Sequence, residues 1–153
     1  MNLLSVRERI LDAIATSFRG MTEGDDDYTT TWSLVTRTQK PSPLTSTVLA
    51  IHAGPERKVD RYGYNDCVLE VRLMFYYPFA VGDVPDTELN RIMADIQRWC
   101  RRDIQWGGLA VNTQEIANSV EVESPSDKVG AGIVVINVLY RHTINDPRRM
   151  IGE

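Results

Sequence analysis

Cysteine, histidine and long apolar runs are all scarce in this chain. The two cysteines, Cys67 and Cys100, both read as inward-facing and are expected to be buried reduced thiols that behave as small hydrophobes. A disulfide between them would need the helix carrying Cys100 to pack over the strand carrying Cys67. The two histidines, His52 and His142, fall late in a strand and at the end of one. An acid/base pair needs a carboxylate beside the imidazole in a cleft, and strand-end histidines more often serve surface or packing roles. No apolar stretch approaches the ~20 residues that span a bilayer, so no membrane association is expected. The first eighteen residues are charged too early and too regularly for a signal peptide, and the expected compartment is the cytoplasm. A basic excess is missing too. The net charge is −4 and the pI about 5.2, which argues against broad adhesion to nucleic acid but suits a wall that DNA slides past.

The motifs of catalysis are equally thin. No serine or cysteine sits in a G-x-S-x-G elbow. Asp25, Asp26 and Asp27 are oxygen ligands that a hard cation could use, which leaves a metal-dependent enzyme as one reading. The glycine and closing glutamate of a calcium loop are absent, however, and a solvated acidic loop accounts for the run. Gly107-Gly108 and Gly130-x-Gly132 lack the spacing and the following helix of a phosphate loop. Arg98, Arg101 and Arg102 read as the basic end of a helix, and Arg148 and Arg149 as part of a solvated tail. No cofactor is implied.

What the chain does have is alternation. Asn65–Pro78, NDCVLEVRLMFYYP, places Cys67, Leu69, Val71, Leu73, Phe75 and Tyr77 on one face. Asp66, Val68, Glu70, Arg72, Met74 and Tyr76 take the other, and a mixed outer face predicts an antiparallel sheet. The run exceeds the usual ~5–6 residues, so it is expected to overhang its own domain and be available to a neighbour. Gly130–His142 repeats the pattern.

Two helices are predicted. Leu3–Phe18 carries a Ser5/Glu8 capping box. Thr87–Asp103 carries the stripe Leu89, Ile92, Met93, Ile96, Trp99 and Cys100. Further strands are expected at Thr29–Gln39, Thr47–Ala53, Ser119–Glu123 and, briefly, Leu109–Thr113. Lys40–Leu44 and Gly54-Pro55 should break the sheet, and Ser124–Asp127 should turn the chain. The 153 residues suit one α+β domain over 1–142 with a tail, 143–153, that is mobile or docked on a partner. Its order is α-β-β-β-α-β-β, a mainly antiparallel sheet with both helices on one face. The opposite face, with Arg72, Met74 and Tyr76, is then partly uncovered. Together with Tyr77, Arg148 and Arg149 these form the expected interface set, since exposed tyrosines are enriched at protein contacts.

The sequence of elements resembles that of tail terminator (tail completion) proteins of long-tailed bacteriophages. The resemblance is carried by LEVRLMFYYP, LNRIMADIQRW, GGLAVNT, SVEVES and GIVVINVLYRHTINDPR, with Arg141, His142, Asp146 and Pro147 in the last. It implies a homohexameric ring that seats on the last ring of the tail tube, stops its polymerisation and offers a surface for joining the head. It also implies the partners: the tube protein, a neck or head-completion protein, the sheath in contractile tails, and DNA passing through the lumen unbound. The implied place is the head-proximal end of the virion tail, and the family offers no catalytic residues to transfer. Neck adaptor proteins of the same virions share this size and composition and stand as the alternative.

Overall fold

The computed structural model describes residues 3–38, 44–124 and 128–153. Helix α1 (Val6–Arg19) begins where the sequence places its cap, with the Ser5 hydroxyl accepting from the Glu8 backbone N–H at 3.1 Å. It buries Val6, Ile10, Leu11, Ile14, Ala15 and Phe18. Helix α2 (Pro85–Cys100) opens on a proline, whose missing N–H costs nothing in a first turn. All six residues of its expected stripe are buried.

Six strands form one sheet: β1 (Leu34–Thr36), β2 (Val48–Asp60), β3 (Tyr64–Pro78), β4 (Asn112–Ser124), β5 (Val129–Thr143) and β6 (Asp146–Met150). Their order is β1-β2-β3-β5-β4, with β6 paired to the end of β5. Among the described strands only the short β1–β2 pair is parallel. The architecture is thus α+β with a mainly antiparallel sheet, as the alternation required. The main core lies on one face, where Leu69, Val71, Leu73 and Phe75 of β3 and Val134, Ile136 and Val138 of β5 meet the apolar sides of both helices. Phe18, Tyr28, Trp99 and Trp106 pack together between the helices, and Trp99 Nε1 donates to Ser17 Oγ at 3.0 Å. Cys67 and Cys100 are both buried and both free.

The structure corrects several expectations. The long strand β3 does not overhang. It is paired to β2 from Asn65 to Tyr76 and to β5 from Tyr64 to Pro78, so its length is matched by its neighbours. Gly54-Pro55 does not end β2; the strand passes through them by a bulge between Ala53 and Glu56. β1 pairs only as far as Ala50, so Pro55 sits on a free margin where no donor is missed. The expected strand Thr29–Gln39 shrinks to Leu34–Thr36. Conversely, the expected strands Leu109–Thr113 and Ser119–Glu123 merge into one strand, β4, which starts only at Asn112, so Leu109–Val111 lie before it; bulges fall between Glu115 and Ala117 and between Val122 and Ser124. Residues 143–153 fold back as β6, where Arg9 of α1 donates to both carboxylate oxygens of Glu153 and to the Arg148 carbonyl. The expected break at Lys40–Leu44 lies outside the described residues apart from Leu44, and the turn at Ser124–Asp127 apart from Ser124.

Thr29 and Thr30 leave the sheet because a carboxyl group claims them, while the Thr31 hydroxyl accepts from the Glu23 backbone N–H. Asp95 is buried on α2 and accepts from the Thr29 backbone N–H (3.0 Å), Thr29 Oγ1 (2.8 Å) and Thr30 Oγ1 (2.7 Å). Bonds to an ionised acceptor outweigh the β-propensity of three threonines. Asp95→Ala is therefore expected to cost about 2–3 kcal/mol in urea unfolding, and Asp95→Asn less. A stability equal to that of the wild type in both variants would remove this account of the segment.

Candidate assembly surface

With both helices on one face, the other face of the sheet is built by alternate residues of the long strands. Met74 of β3 lies opposite Ala50 of β2 and Ile133 of β5, and Tyr76 opposite Val48 and Ala131. Met74, Tyr76, Val48, Ala50 and Ala131, with Leu44, make a small second apolar cluster in which Val48, Ala50 and Tyr76 are buried. Further along the same face the rows turn polar. Arg72 pairs with Glu70 at 2.8 Å, and Asp66 is held between Arg61 (3.0 Å) and Arg141 (2.7 Å). The hydrogen bond from Arg141, and after it that from Arg61, keeps the Asp66 carboxyl below its usual range. Arg141 also stacks over the Tyr64 ring at 5.1 Å.

The expected interface residues do not gather in one place. Arg72, Met74 and Tyr76 share this outer face on β3. Tyr77 points the other way, edge-on to Phe79 at 5.7 Å, and lines an open polar recess of about 450 Å³ with Thr29, Glu88 and Arg91. Arg148 and Arg149 are on β6, which lies at the opposite end of β5 from the strand positions that face Tyr76 and Tyr77. There Arg148 pairs with Asp146 at 3.0 Å and Arg149 donates to the Glu153 backbone oxygen.

The acidic loop and the basic helix end, read separately in the sequence, face one another. Asp25–Asp27 forms a 3-10 turn with Asp26 and Asp27 at positive φ. Arg98 donates to the Asp26 carbonyl and lies 4.7 Å over the Tyr28 ring, while Arg102 covers Trp99 at 4.1 Å. Among the described residues no three His, Cys, Asp or Glu side chains come together to hold a metal ion.

One polar network escaped sequence reading. Beyond the β2 bulge, Glu56, Lys58 and Asp60 face the helix side, opposite Leu69, Cys67 and Asn65. Glu56 accepts from the Tyr140 hydroxyl, and its other oxygen lies 3.6 Å from the Lys58 ammonium. Lys58 in turn reaches His142 Nε2 at 2.9 Å, and His142 Nδ1 meets the Thr143 carbonyl at 2.7 Å. These partners assign the proton to Nδ1 and make Nε2 the acceptor. Burial, and then the bond to Glu56, pushes the Tyr140 hydroxyl pKa far above its ordinary value. Both imidazole nitrogens are occupied and His142 is buried, so the group acts as a fastening rather than as an acid/base pair. The period-two spacing of Glu56, Lys58 and Asp60 was the signal available for it. His52 lies opposite Arg72 on the outer face.

The remaining feature is the pair of sheet margins. No described strand covers the outer side of β4, along which Ile116 (49% exposed) and Val122 (37%) are open to solvent. At the other margin no described strand pairs with β2 beyond Ala50, though Arg7 of α1 donates to the Gly54 carbonyl at 3.4 Å; Val59 is half exposed and Tyr62 fully exposed in the hairpin that follows. Among the described residues no helix is long and apolar enough to cross a membrane.

No protein-family model matches the chain, and no curated protein matches it. Among solved structures it is similar to a chain from the virion of a native gene transfer agent particle, at 14% identity and a TM-score of 0.46, over 88% of this chain and 90% of that chain.

Proposed function

We propose that this chain is a structural virion protein of the tail terminator kind: a ring of identical subunits, six in number, that caps the tail tube, stops its growth and offers the surface on which the head is joined. The observation that carries the reading is that no described strand covers the outer side of β4, or β2 beyond Ala50, at opposite sides of one sheet. A subunit with two different self-adhesive edges associates head to tail, and such a contact closes into a ring when the rotation permits. The quoted stretches that resemble tail terminators fall on β3, α2, β4 and β5–β6. Arg141 and His142 end β5, while Asp146 and Pro147 open β6, so the closing motif is the turn that docks the C-terminal segment.

In this reading the tube protein and a neck or head-completion protein meet the two faces of the ring, a sheath protein joins them if the tail contracts, and DNA passes through an acidic lumen without binding. Arg72, Met74 and Tyr76 on the outer sheet face, and Tyr77, Arg148 and Arg149 at the two ends of the long strands, are the contacts proposed for neighbouring subunits or partners. No catalytic or cofactor role is assigned. The Asp25–Asp27 loop, tied to Arg98 and facing Arg102, serves this reading as structure rather than as a metal site.

Negative-stain electron microscopy of the purified protein, alone and with tube rings, tests the proposal. The expected image is a ring with a central hole that seats on tube ends and blocks their extension. A species that stays monomeric at every concentration, with tube rings present or not, overturns it. Retention by immobilised neck protein but not by tube protein would move the ring from terminator to neck adaptor.

A further inference from the structure

We infer that the ring closes by sheet extension, the free half of β2 in one subunit pairing with β4 of the next. The inference rests on the self-assembling reading above and specifies its contact. Three observations carry it.

The first is direction. Strands β2, β3, β5 and β4 are mutually antiparallel in spatial order, so they run up, down, up, down across the sheet. A cyclic repeat with its axis along the strands preserves direction from copy to copy. It therefore brings a β4 running down against a β2 running up, and the antiparallel ladder continues without a break. Among the described strands only β1 covers this side of β2, at Val48–Ala50, and Arg7 of α1 donates to the Gly54 carbonyl, which leaves Arg57–Asp60 to receive a partner strand.

The second is charge. Glu115 and Glu121 are exposed on β4, and no basic side chain is described on that strand. Beyond the bulge, β2 and its hairpin expose Arg57, Lys58, Arg61 and Asp60; within the subunit Lys58 pairs with the half-buried Glu56 and Arg61 with Asp66, which leaves Arg57 as the basic side chain with no ion pair among the described residues. Two copies meeting edge to like edge would set Glu115 and Glu121, or Arg57 and Lys58, against their own kind, which is destabilising across a strand pair. Head-to-tail pairing instead sets the acidic margin of one copy, with Glu115 and Glu121, against Arg57 of the next. The third is that each margin carries an exposed apolar residue, Ile116 and Val59, beside its charges. The bulges on both strands and Pro55 discourage indiscriminate edge pairing, so the charges decide which partner is accepted.

Reversing each margin separately, then together, tests this. Arg57→Glu with Arg61→Glu on β2 is expected to shift the wild-type ring mass to monomer in sedimentation velocity, and Glu115→Lys with Glu121→Lys on β4 is expected to do the same. All four substitutions in one chain restore acid against base and should recover the ring; so should a one-to-one mixture of the two double variants, as an alternating ring. Circular dichroism of the monomeric variants verifies that they fold. Rings that persist in both double variants overturn the β2–β4 contact while leaving the ring itself standing. A folded fourfold variant and a mixture that both stay monomeric overturn it as well. A wild type that forms no ring, even with tube rings present, overturns the functional reading and this contact together.

Discussion

Gly132→Val is expected to lower the melting temperature by roughly 10 °C, reflecting a loss of about 3 kcal/mol. Gly132 stands directly opposite Phe75 in the β3–β5 register, and the outer end of the Phe75 ring occupies the space a side chain would fill. A β-carbon there would fall 2.9 Å from Phe75 Cε2 and closer still to Cζ and Cε1. Phe75 is fully buried, so its ring has nowhere to retreat without displacing the helix side of the core. Overpacking of a close-packed interior forces side chains off their rotamers, and a β-branched residue adds its own stiffness. Gly132→Ala should cost less, about 1–2 kcal/mol. The decisive measurement is a double-mutant cycle with Phe75→Leu, in which the smaller side chain makes room for the new methyl group. Strict additivity would mean that ring and glycine do not share the site. Gly130 is in the same position, with Leu89 at 2.8 Å and Phe79 at 2.5 Å from its virtual β-carbon.

Gly130-x-Gly132 shows where sequence reading stops. Its spacing excluded a phosphate loop, yet the function it does have depends on which ring crosses β5, and that is fixed only by pairing with β3. The helices were legible because their signals are local: a Ser5/Glu8 cap in one and a 3.6-residue stripe in the other, both present as expected. Strands β3 and β5 were legible because alternation over fifteen residues has no helical counterpart. The failures share a cause, which is that an element's fate was decided by a distant partner. Thr29–Thr31 has the composition of a strand, but Thr29 and Thr30 are claimed by Asp95, sixty-odd positions away. Pro55 looked like a stop because its margin was not known to be free. The C-terminal segment has no period of its own, since its partners are the end of β5 and Arg9 of α1. The candidate surface was legible only in part. Arg72, Met74 and Tyr76 do share a face, but which edges stay bare follows from strand order, and strand order is not written in alternation.

Above pH 9 the fold is expected to lose stability steeply, and the two buried thiols, Cys100 and Cys67, set where the loss begins. Burial against the core raises its thiol from 9.0 to about 12, because the thiolate has no solvation there. The sign follows from linkage. In the unfolded chain the thiol releases its proton near pH 9, while the folded chain keeps it until about pH 12. The neutral form's contribution is thus fully present below pH 9, and it drains away as pH rises toward the folded value. Three pH units of difference amount to about 4 kcal/mol by pH 12. Cys67, Tyr28, Tyr77 and Tyr140 are displaced in the same direction, each chiefly by burial, so the tyrosines steepen the decline once pH passes 10. Urea midpoints measured from pH 8 to 11 should therefore fall with rising slope. Cys100→Ala should begin from a lower plateau, having lost a packed sulfur, and yet decline less between pH 9 and 10. If the two proteins fall in parallel across that interval, the Cys100 thiol is not one of the groups responsible. The same burial predicts that neither thiol reacts with an aromatic disulfide reagent in the native state, and that both react once urea exposes them.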